Sequence, residues 1–484
     1  MQNLDLTRLF EPVTVAVVGA SSNPEKTGYL ILRNLVEKKY PGRIYPVNPR
    51  GGEILGVKVF RSVKEIPEPI DLAVLAIPST EVPSTMEELV TNGTKFAVII
   101  AAGFKEVGDE GARLEEEVVR IARRGNVRLI GPNTIGFVNG HRDLIASGVP
   151  FLSWRSSGIA IVCQSGIFAG GLAAWLMANN LMGVGKVIAL GNKCDLDESD
   201  MLEYLEKDPD TRVIGLHIEG IVDGRRFIEV ARRVVKKKPI VVVKAARTEL
   251  GGRSAMTHTG SLAIDDRVVD AAFKQAGVIR AETIMEMLDY LKAFEYQPIP
   301  RGNRVTIITL SGALAVLASD MCDKYDLKLS ELSPKTLSWI REEIMPPGII
   351  VTNPIDIWAA LGAGPAKAHA VAFEGALSDD GGDVVLLILL PLRPTNHDVD
   401  QSFGEVLKRY KDNGKTILAV LLGGEFLKSW FDKLEAMGIP CYIGPDGGER
   451  AVKSINAMLK FKATKTKMET FSSQRPLTES QRRP

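Results

Sequence analysis

The sequence predicts an α/β protein, with an N-terminal Rossmann-like domain followed by two flavodoxin-like α/β domains. Three observations point there. Short β-branched runs alternate with amphipathic stretches along the chain, the rhythm of parallel sheets covered by helices. The runs end in turns rich in glycine, proline, serine and asparagine, at the strand ends where open α/β sheets bind ligands. The order strand, Ser-Gly turn, helix occurs twice, around Gln164-Ser165-Gly166 and around Leu310-Ser311-Gly312, as a repeated plan requires. The 484 residues suit two to four domains at roughly 100 to 200 residues each. Segments are expected at 1–150, 151–298 and 299–460, with a short, basic and polar tail at 461–484.

In the first segment strands are expected at 13–18, 44–47, 71–77, 96–100 and 127–130. The first turn reads Gly19-Ala-Ser-Ser-Asn-Pro-Glu-Lys-Thr-Gly28, and a helical stretch follows it. Backbone amides of this turn and a helix N-terminus can receive a phosphate there. The turn is not G-x-G-x-x-G. An NAD site would favour an acidic residue near the end of the second strand, whereas this strand ends Pro46-Val-Asn-Pro-Arg50. Arg50 at that place suits a ribose phosphate, which NADP and coenzyme A both carry; the plainer reading makes Arg50 a surface residue in a turn. Pro78, Ala101-Ala-Gly103 and Gly131-Pro-Asn133 end the later strands as a groove for an extended nucleotide would need, although each alone is ordinary loop chemistry.

The second segment begins near Ser156 with a strand at 159–163, then Gln164-Ser165-Gly166 and an apolar helical stretch. Ser165 and the amides after it make either an anion site or a plain serine cap. Turns follow at Gly191-Asn-Lys-Cys-Asp195 and at Glu219-Gly220. After the strand Lys238-Pro-Ile-Val-Val-Val-Lys-Ala comes Arg253-Ser-Ala-Met-Thr-His-Thr-Gly260, expected as a small-residue loop. His258 in that loop is the candidate nucleophile, with phosphorylation of its ring as the working hypothesis and Thr259 and Gly260 beside the phosphate. Glu219 either holds one nitrogen of His258 and leaves the other free to attack, or caps the next helix. His141, His217, His369 and His397 are expected to be structural or exposed, and no ligand cluster accompanies His397-Asp-Val-Asp400, so no metal site is expected.

The third segment repeats the strand and Ser-Gly turn but has no His-Thr-Gly sequence after it. Its turn either docks the histidine loop or a partner, or is scaffolding.

Composition excludes several classes. Forty-five per cent hydrophobic and 25% charged residues describe a soluble protein with real cores, and a net charge of +1 argues against a general nucleic-acid binder. Cys163, Cys194, Cys322 and Cys441 are widely spaced, without a C-x-x-C pair, so neither zinc nor disulfides are indicated and a cytoplasmic location fits best. No signal sequence is read at the N-terminus and no apolar run reaches about 18 residues, so no membrane association is expected.

Taken as a set, Gly19 to Gly28, Pro46 to Arg50, Gly103-Phe-Lys-Glu-Val-Gly108, Gly131-Pro-Asn133, Gln164-Ser-Gly166, Leu190-Gly-Asn-Lys193 and His258-Thr-Gly260 with Ser261-Leu262 resemble the α subunit of the NDP-forming acyl-CoA synthetases. Within that superfamily, which includes succinyl-CoA synthetase, the resemblance is greatest to ADP-forming acetate–CoA ligase. It implies a CoA-binding first domain and a reaction interconverting acyl-CoA, ADP and phosphate with acid, CoA and ATP, through acyl phosphate and a phosphohistidine at His258. It also implies Glu219 as the residue orienting His258, Gln164, Ser165, Gly166, Thr259 and Gly260 around phosphate, and Gly19, Ser21, Asn23, Pro24, Asn48, Arg50, Pro78 and Asn133 in the CoA groove. An ATP-grasp β subunit would bind most of the ADP or ATP, with Mg2+ accompanying the nucleotide, in an α2β2 assembly. Ile167-Phe168 and Ile264-Asp265 depart from the family pattern, which expects smaller residues at the first and Gly-Ser at the second. Two other readings remain: a noncatalytic CoA-binding regulatory protein, and an NADP-dependent oxidoreductase, which gives no reason for the sequence around His258.

Overall fold

The computed structural model describes residues 5–151, 153–259, 265–391, 397–410 and 413–473, with the side chains of 255–259, 397–400 and 471–473 outside the description. The chain divides into two compact units, 1–283 and 284–484. No helix among the described residues is long and apolar enough to cross a membrane.

The first unit holds two large sheets. β1 (Thr14–Val18), β2 (Arg43–Val47), the hairpin β3 (Gly52–Ile54) and β4 (Val57–Val59), β5 (Leu72–Leu75), β6 (Phe96–Ile99) and β7 (Arg128–Ile130) follow one another along the chain. β2-β1-β5-β6-β7 form an all-parallel sheet. Every residue of β1, β5 and β6 is buried, as strands covered on both faces must be. Helices Val82–Asn92 and Asp109–Arg124 pack Met86, Leu89, Val118 and Ile121 against Ala73, Leu75, Ala97 and Leu129.

β8 (Gly136–Asn139) and β9 (Leu144–Ser147) are antiparallel and start the second sheet. It continues with β10 (Ile159–Cys163), β11 (Lys186–Ala189), β12 (Val213–Ile218), β13 (Ile240–Lys244) and β14 (Ile279–Ala281), in the order β14-β13-β12-β10-β11-β8-β9. The boundary expected at 150 therefore falls after two strands that already belong to the second sheet. β8 bonds antiparallel to β11, a pairing with a strand some 50 positions downstream that local sequence does not disclose.

The second unit starts at the helix Ile284–Tyr296, inside the segment expected to end at 298. Its polar residues show why it belongs here: Asp289 accepts two bonds of 2.7 Å from Arg450, and Lys292 donates to Glu435 at 2.8 Å. The sheet comprises β15 (Arg304–Thr309), β16 (Lys328–Leu329), β17 (Ile355–Asp356), β18 (Val384–Leu389), β19 (Thr416–Leu421) and β20 (Cys441–Ile443), ordered β16-β15-β18-β19-β20 with β17 also beside β15. The last helix, Gly447–Ser473, runs past the start of the expected tail. Its polar composition hides two anchors: Phe461 is buried edge-on to Phe294, and Lys462 donates to the carbonyls of Pro300 and Arg301. Residues 474–484 of that tail lie outside the described residues.

Counted along the chain, and leaving β17 aside, the five parallel strands of each sheet stand in the order 2-1-3-4-5. In that order the connections leave strands one and three in opposite directions, which opens a crevice at their C-terminal ends. The crevices lie between β1 and β5, between β10 and β12, and between β15 and β18.

Candidate functional site

The crevice between β10 and β12 is built around Gln164. Its amide donates to the His217 carbonyl at 3.0 Å, and its own carbonyl accepts the Gly191 amide at 3.0 Å. Its side-chain Oε1 accepts the amides of Glu219 and Gly220 at 3.0 and 3.1 Å. One buried residue, through its backbone and its side chain, thus ties together the ends of β10, β11 and β12.

Ser165 precedes the helix Gly166–Ala178 in extended conformation, and its hydroxyl makes no capping bond. The plain serine cap is therefore not what stands here. The first helical amides, which helix geometry leaves without internal partners, open into the crevice end of β10. Gly166 is required by close approach, since a Cβ there would sit 2.9 Å from the Ile135 amide nitrogen.

Glu219 does not cap the next helix either. That helix, Gly224–Val235, is capped by Asp223, which accepts the amides of Arg225 and Arg226 at 3.0 Å. Glu219 instead keeps a buried Oε2 that has no hydrogen-bond partner. Leaving such an oxygen unsatisfied costs about 1 to 3 kcal/mol, which a donor reaching it would recover. Lys193, at φ 57°, donates to Glu198 at 3.0 Å and to the Gly220 carbonyl at 2.6 Å, clamping the turn that carries Glu219.

His258 lies in a helix, Glu249–Thr259, and not in the expected loop. Thr248 starts it, accepting the Gly251 amide on its hydroxyl at 3.1 Å and the Gly252 amide on its carbonyl at 2.7 Å. Its small residues are compatible with helix once the first turn is held, and Ala255 and Met256 favour it. The side chains of His258 and Thr259, and Gly260 entirely, lie outside the described residues. The backbone of this helix comes against the turn Lys105–Val107 of the first sheet's domain.

That turn is fixed to the second sheet by a buried polar network. Glu106 Oε1 accepts the amides of Gly103 and Phe104, and its Oε2 accepts Asn192 Nδ2 at 2.6 Å. Asn192 also donates to Glu115 at 2.9 Å, and Lys105 donates to the Asn192 carbonyl and pairs with Glu115. Arg128 and Asp195 add a two-pronged pair at 2.7 and 3.1 Å.

The first crevice collects most of the expected nucleotide residues. Gly19 has φ 89° and lies against the Ala76 carbonyl, while a Cβ on Gly28 would come 2.0 Å from the Gly19 carbonyl oxygen. The turn between them can close only with glycine at both ends. Inside it Ser21 Oγ accepts the Asn23 amide, Asn23 Oδ1 accepts the Glu25 amide, and Pro24 is exposed. Asn48 donates to the Ala20 carbonyl at 2.8 Å and accepts the Arg50 amide at 2.9 Å, which leaves Arg50 exposed at the end of β2. Pro78 is exposed just beyond β5. Asn133 stands apart from this group, beyond β7, with φ 58° and its side chain toward Asn192. The open turn, the exposed arginine and the neighbouring strand ends fit a phosphate-bearing nucleotide such as CoA.

Sequence reading missed three groups around the second crevice. Lys193 and Lys244 are buried, and so is the Nδ1 of His217, which like Glu219 Oε2 has no hydrogen-bond partner. In the sequence His217 stands two residues before Glu219, the spacing at which side chains of an extended chain share a face. Burial holds the His217 imidazole below its ordinary 6.5 against the pull of Glu219, with Lys244 adding to the depression. Among the described residues no three His, Cys, Asp or Glu side chains group to hold a metal ion.

A CoA binding domain family matches residues 13–140, and a succinyl-CoA ligase like flavodoxin domain family matches residues 156–294. The α subunit of acetate–CoA ligase (ADP-forming) II from Pyrococcus furiosus is 41% identical over 448 residues, 91% of this chain and 95% of that one. The acetate–CoA ligase (ADP-forming) of Methanocaldococcus jannaschii is 38% identical over 467 residues, covering 96% of this chain but 64% of that protein. Among solved structures, the dinucleotide forming acetyl-coenzyme A synthetase 1 of Ca. Korarchaeum cryptofilum, in complex with phosphate and ADP, matches with a TM-score of 0.88 and 34% identity, over 96% of this chain and 99% of that one. With this identity sustained over almost the full length of a relative, the chain belongs to the family of ADP-forming acetate–CoA ligase α subunits.

Proposed function

We propose that this chain is the α subunit of an ADP-forming acyl-CoA ligase acting on acetate or a similar small acid. The observation that carries the reading is the buried, unpartnered Glu219 Oε2, seated by Gln164 at the crevice between β10 and β12. A carboxylate placed so is ready to take one ring N–H of a histidine and leave the other nitrogen as a nucleophile.

In the direction of ATP formation, a phosphate oxygen attacks the thioester carbonyl, the C–S bond breaks, and CoA leaves as the thiol. The first domain presents the thioester through the Gly19 to Gly28 turn, Asn48, Arg50 and Pro78, with Asn133 at the seam between the sheets. His258 then attacks phosphorus, the P–O bond to the acyl group breaks, and the acid leaves as carboxylate. Gln164, Ser165, Gly166, Thr259 and Gly260 surround the phosphoryl group, whose charge the helix start favours. Finally the terminal oxygen of ADP attacks phosphorus and the P–N bond breaks, regenerating His258. Mg2+ bound with the nucleotide would neutralise phosphate charge.

The nucleotide is assigned to an ATP-grasp β subunit in an α2β2 assembly. The Pyrococcus furiosus relative is itself named a subunit, which supports a division of labour between two chains. A cytoplasmic location accords with four free thiols.

The test is acid-labile phosphate and intact mass of this chain incubated with the β subunit, ATP and Mg2+. Phosphate is expected on the wild type and not on His258→Ala, with discharge on adding acetate and CoA. An active β subunit that leaves both proteins unphosphorylated would overturn the reading.

A further inference from the structure

Two buried polar atoms at the C-terminal end of β12 lack a hydrogen-bond partner, and the ligase reading uses only one. Glu219 Oε2 is accounted for by the histidine nucleophile; His217 Nδ1 is not. The ring of His217 packs on Phe168, with centroids 4.7 Å apart and planes tilted by 38°. Phe168 lies in the first turn of the helix Gly166–Ala178, next to Ile167, which is 79% exposed.

We propose that His217 is a substrate-binding residue for the acid, its Nδ1 pairing with a carboxyl oxygen while Phe168 forms the apolar wall against the acyl chain. This rests on the ligase reading.

The chemistry of the neighbours separates the acid from phosphate. Phosphate is polar on every side and is met best by the helix-start amides at Gly166. It gains nothing from an aromatic face. A short carboxylic acid has one polar end and one apolar end, and the paired surfaces of His217 and Phe168 offer one of each. The charged groups acting on the imidazole are Glu219 in the turn just past its strand and Lys244 at the end of β13. The helix that packs against it, Gly166–Ala178, contributes no charged residue. With burial holding the ring neutral, its Nδ1–H tautomer donates one bond to a carboxylate without introducing a second charge beside Glu219.

The experiment uses the assembled α and β subunits and separates two half-reactions. His258 phosphorylation by ATP needs no acid; discharge of the phosphoenzyme by acetate and CoA does. In His217→Phe, which keeps the ring packing, phosphorylation is expected within about twofold of wild type while KM for acetate rises about tenfold or more and KM for CoA is unchanged. His217→Asn, which restores a donor near Nδ1, is expected to recover most of the acetate affinity. Phe168→Ala is expected to improve kcat/KM for acids longer than acetate relative to acetate.

Normal phosphorylation with wild-type KM for acetate in both His217 variants would overturn the assignment. So would loss of phosphorylation in both, with CoA binding intact, because His217 would then serve the phosphoryl group. A wild-type protein that never acquires phosphate would sink the ligase reading and this inference with it, a result distinct from the other two.

Discussion

Gln164 reaches across the crevice to hold the Glu219 backbone, its Oε1 accepting the Glu219 and Gly220 amides at 3.0 and 3.1 Å. Position and chemistry are thereby split between two residues: Gln164 fixes where the carboxylate stands, and Glu219 supplies it. Gln164→Leu removes the acceptor from two amides and is expected to cost about 1 to 3 kcal/mol of stability for the orphaned groups. Denaturant unfolding and the His258 phosphorylation rate should fall together. A variant with full stability and full phosphorylation would mean the turn is held by other bonds.

Glu219→Gln keeps the shape and the Gln164 bonds, which use only backbone of residue 219, but exchanges the charge. Phosphorylation of His258 is expected to slow by about 100-fold or more, the range of a positioned acid or base. Stability and CoA affinity should stay at wild-type values, measured by thermal unfolding and calorimetry. A loss of less than threefold would remove Glu219 from the mechanism.

The first crevice predicts a different pair of outcomes. Gly28→Ala sets a methyl 2.0 Å from the Gly19 carbonyl, backbone against backbone, so no side-chain movement relieves it. It is expected to destabilise by about 1 to 3 kcal/mol and to abolish CoA binding. Arg50→Ala, at an exposed position, should leave unfolding unchanged and weaken CoA about tenfold, with less loss for dephospho-CoA if the ribose phosphate is its target. Equal loss for both ligands would assign Arg50 to another part of the cofactor.

What sequence disclosed and what it hid follow from the range of the interactions involved. Strand β10 was read at its observed limits, and β1 within one residue, because a strand buried on both faces is a continuous apolar run ending in a turn. The turn positions of Gly19 and Asn48 were legible because each directly follows a strand, whereas β5 stops at Leu75, short of the expected end before Pro78. The helix around His258 was hidden because small residues suit loop and helix alike, and the deciding contacts come from Thr248. The end of the last helix was hidden because Phe461 and Lys462 are anchored to residues more than 150 positions away. His217 was set aside as one histidine among five. Its meaning lies in one missing hydrogen bond at Nδ1, beside the one missing at Glu219 Oε2, which only a folded neighbourhood can show.

His369 supplies the last prediction, which concerns stability against pH. It is buried in the helix Pro365–Ser378, between the rings of Phe403 and Trp430, with Nδ1 bonded to the Pro365 carbonyl at 2.7 Å and Nε2 buried without a partner. Burial pushes the imidazole below its ordinary 6.5, and the Pro365 carbonyl opposes this only in part. The unfolded chain therefore takes up a proton near pH 6.5 that the folded chain refuses. Stability from this neutral ring is fully present above pH 6.5 and is lost as pH falls from there toward the folded value. The slope approaches about 1.4 kcal/mol per pH unit for one proton. His217 acts with the same sign in the first unit, so the wild type loses stability through both. His369→Gln, which does not titrate, should make the fall in unfolding free energy between pH 7 and pH 5.5 shallower, whatever its offset at pH 7. An unchanged slope would show that His369 binds its proton in the fold as readily as in the unfolded chain, as it would if the folded chain admitted water to Nε2.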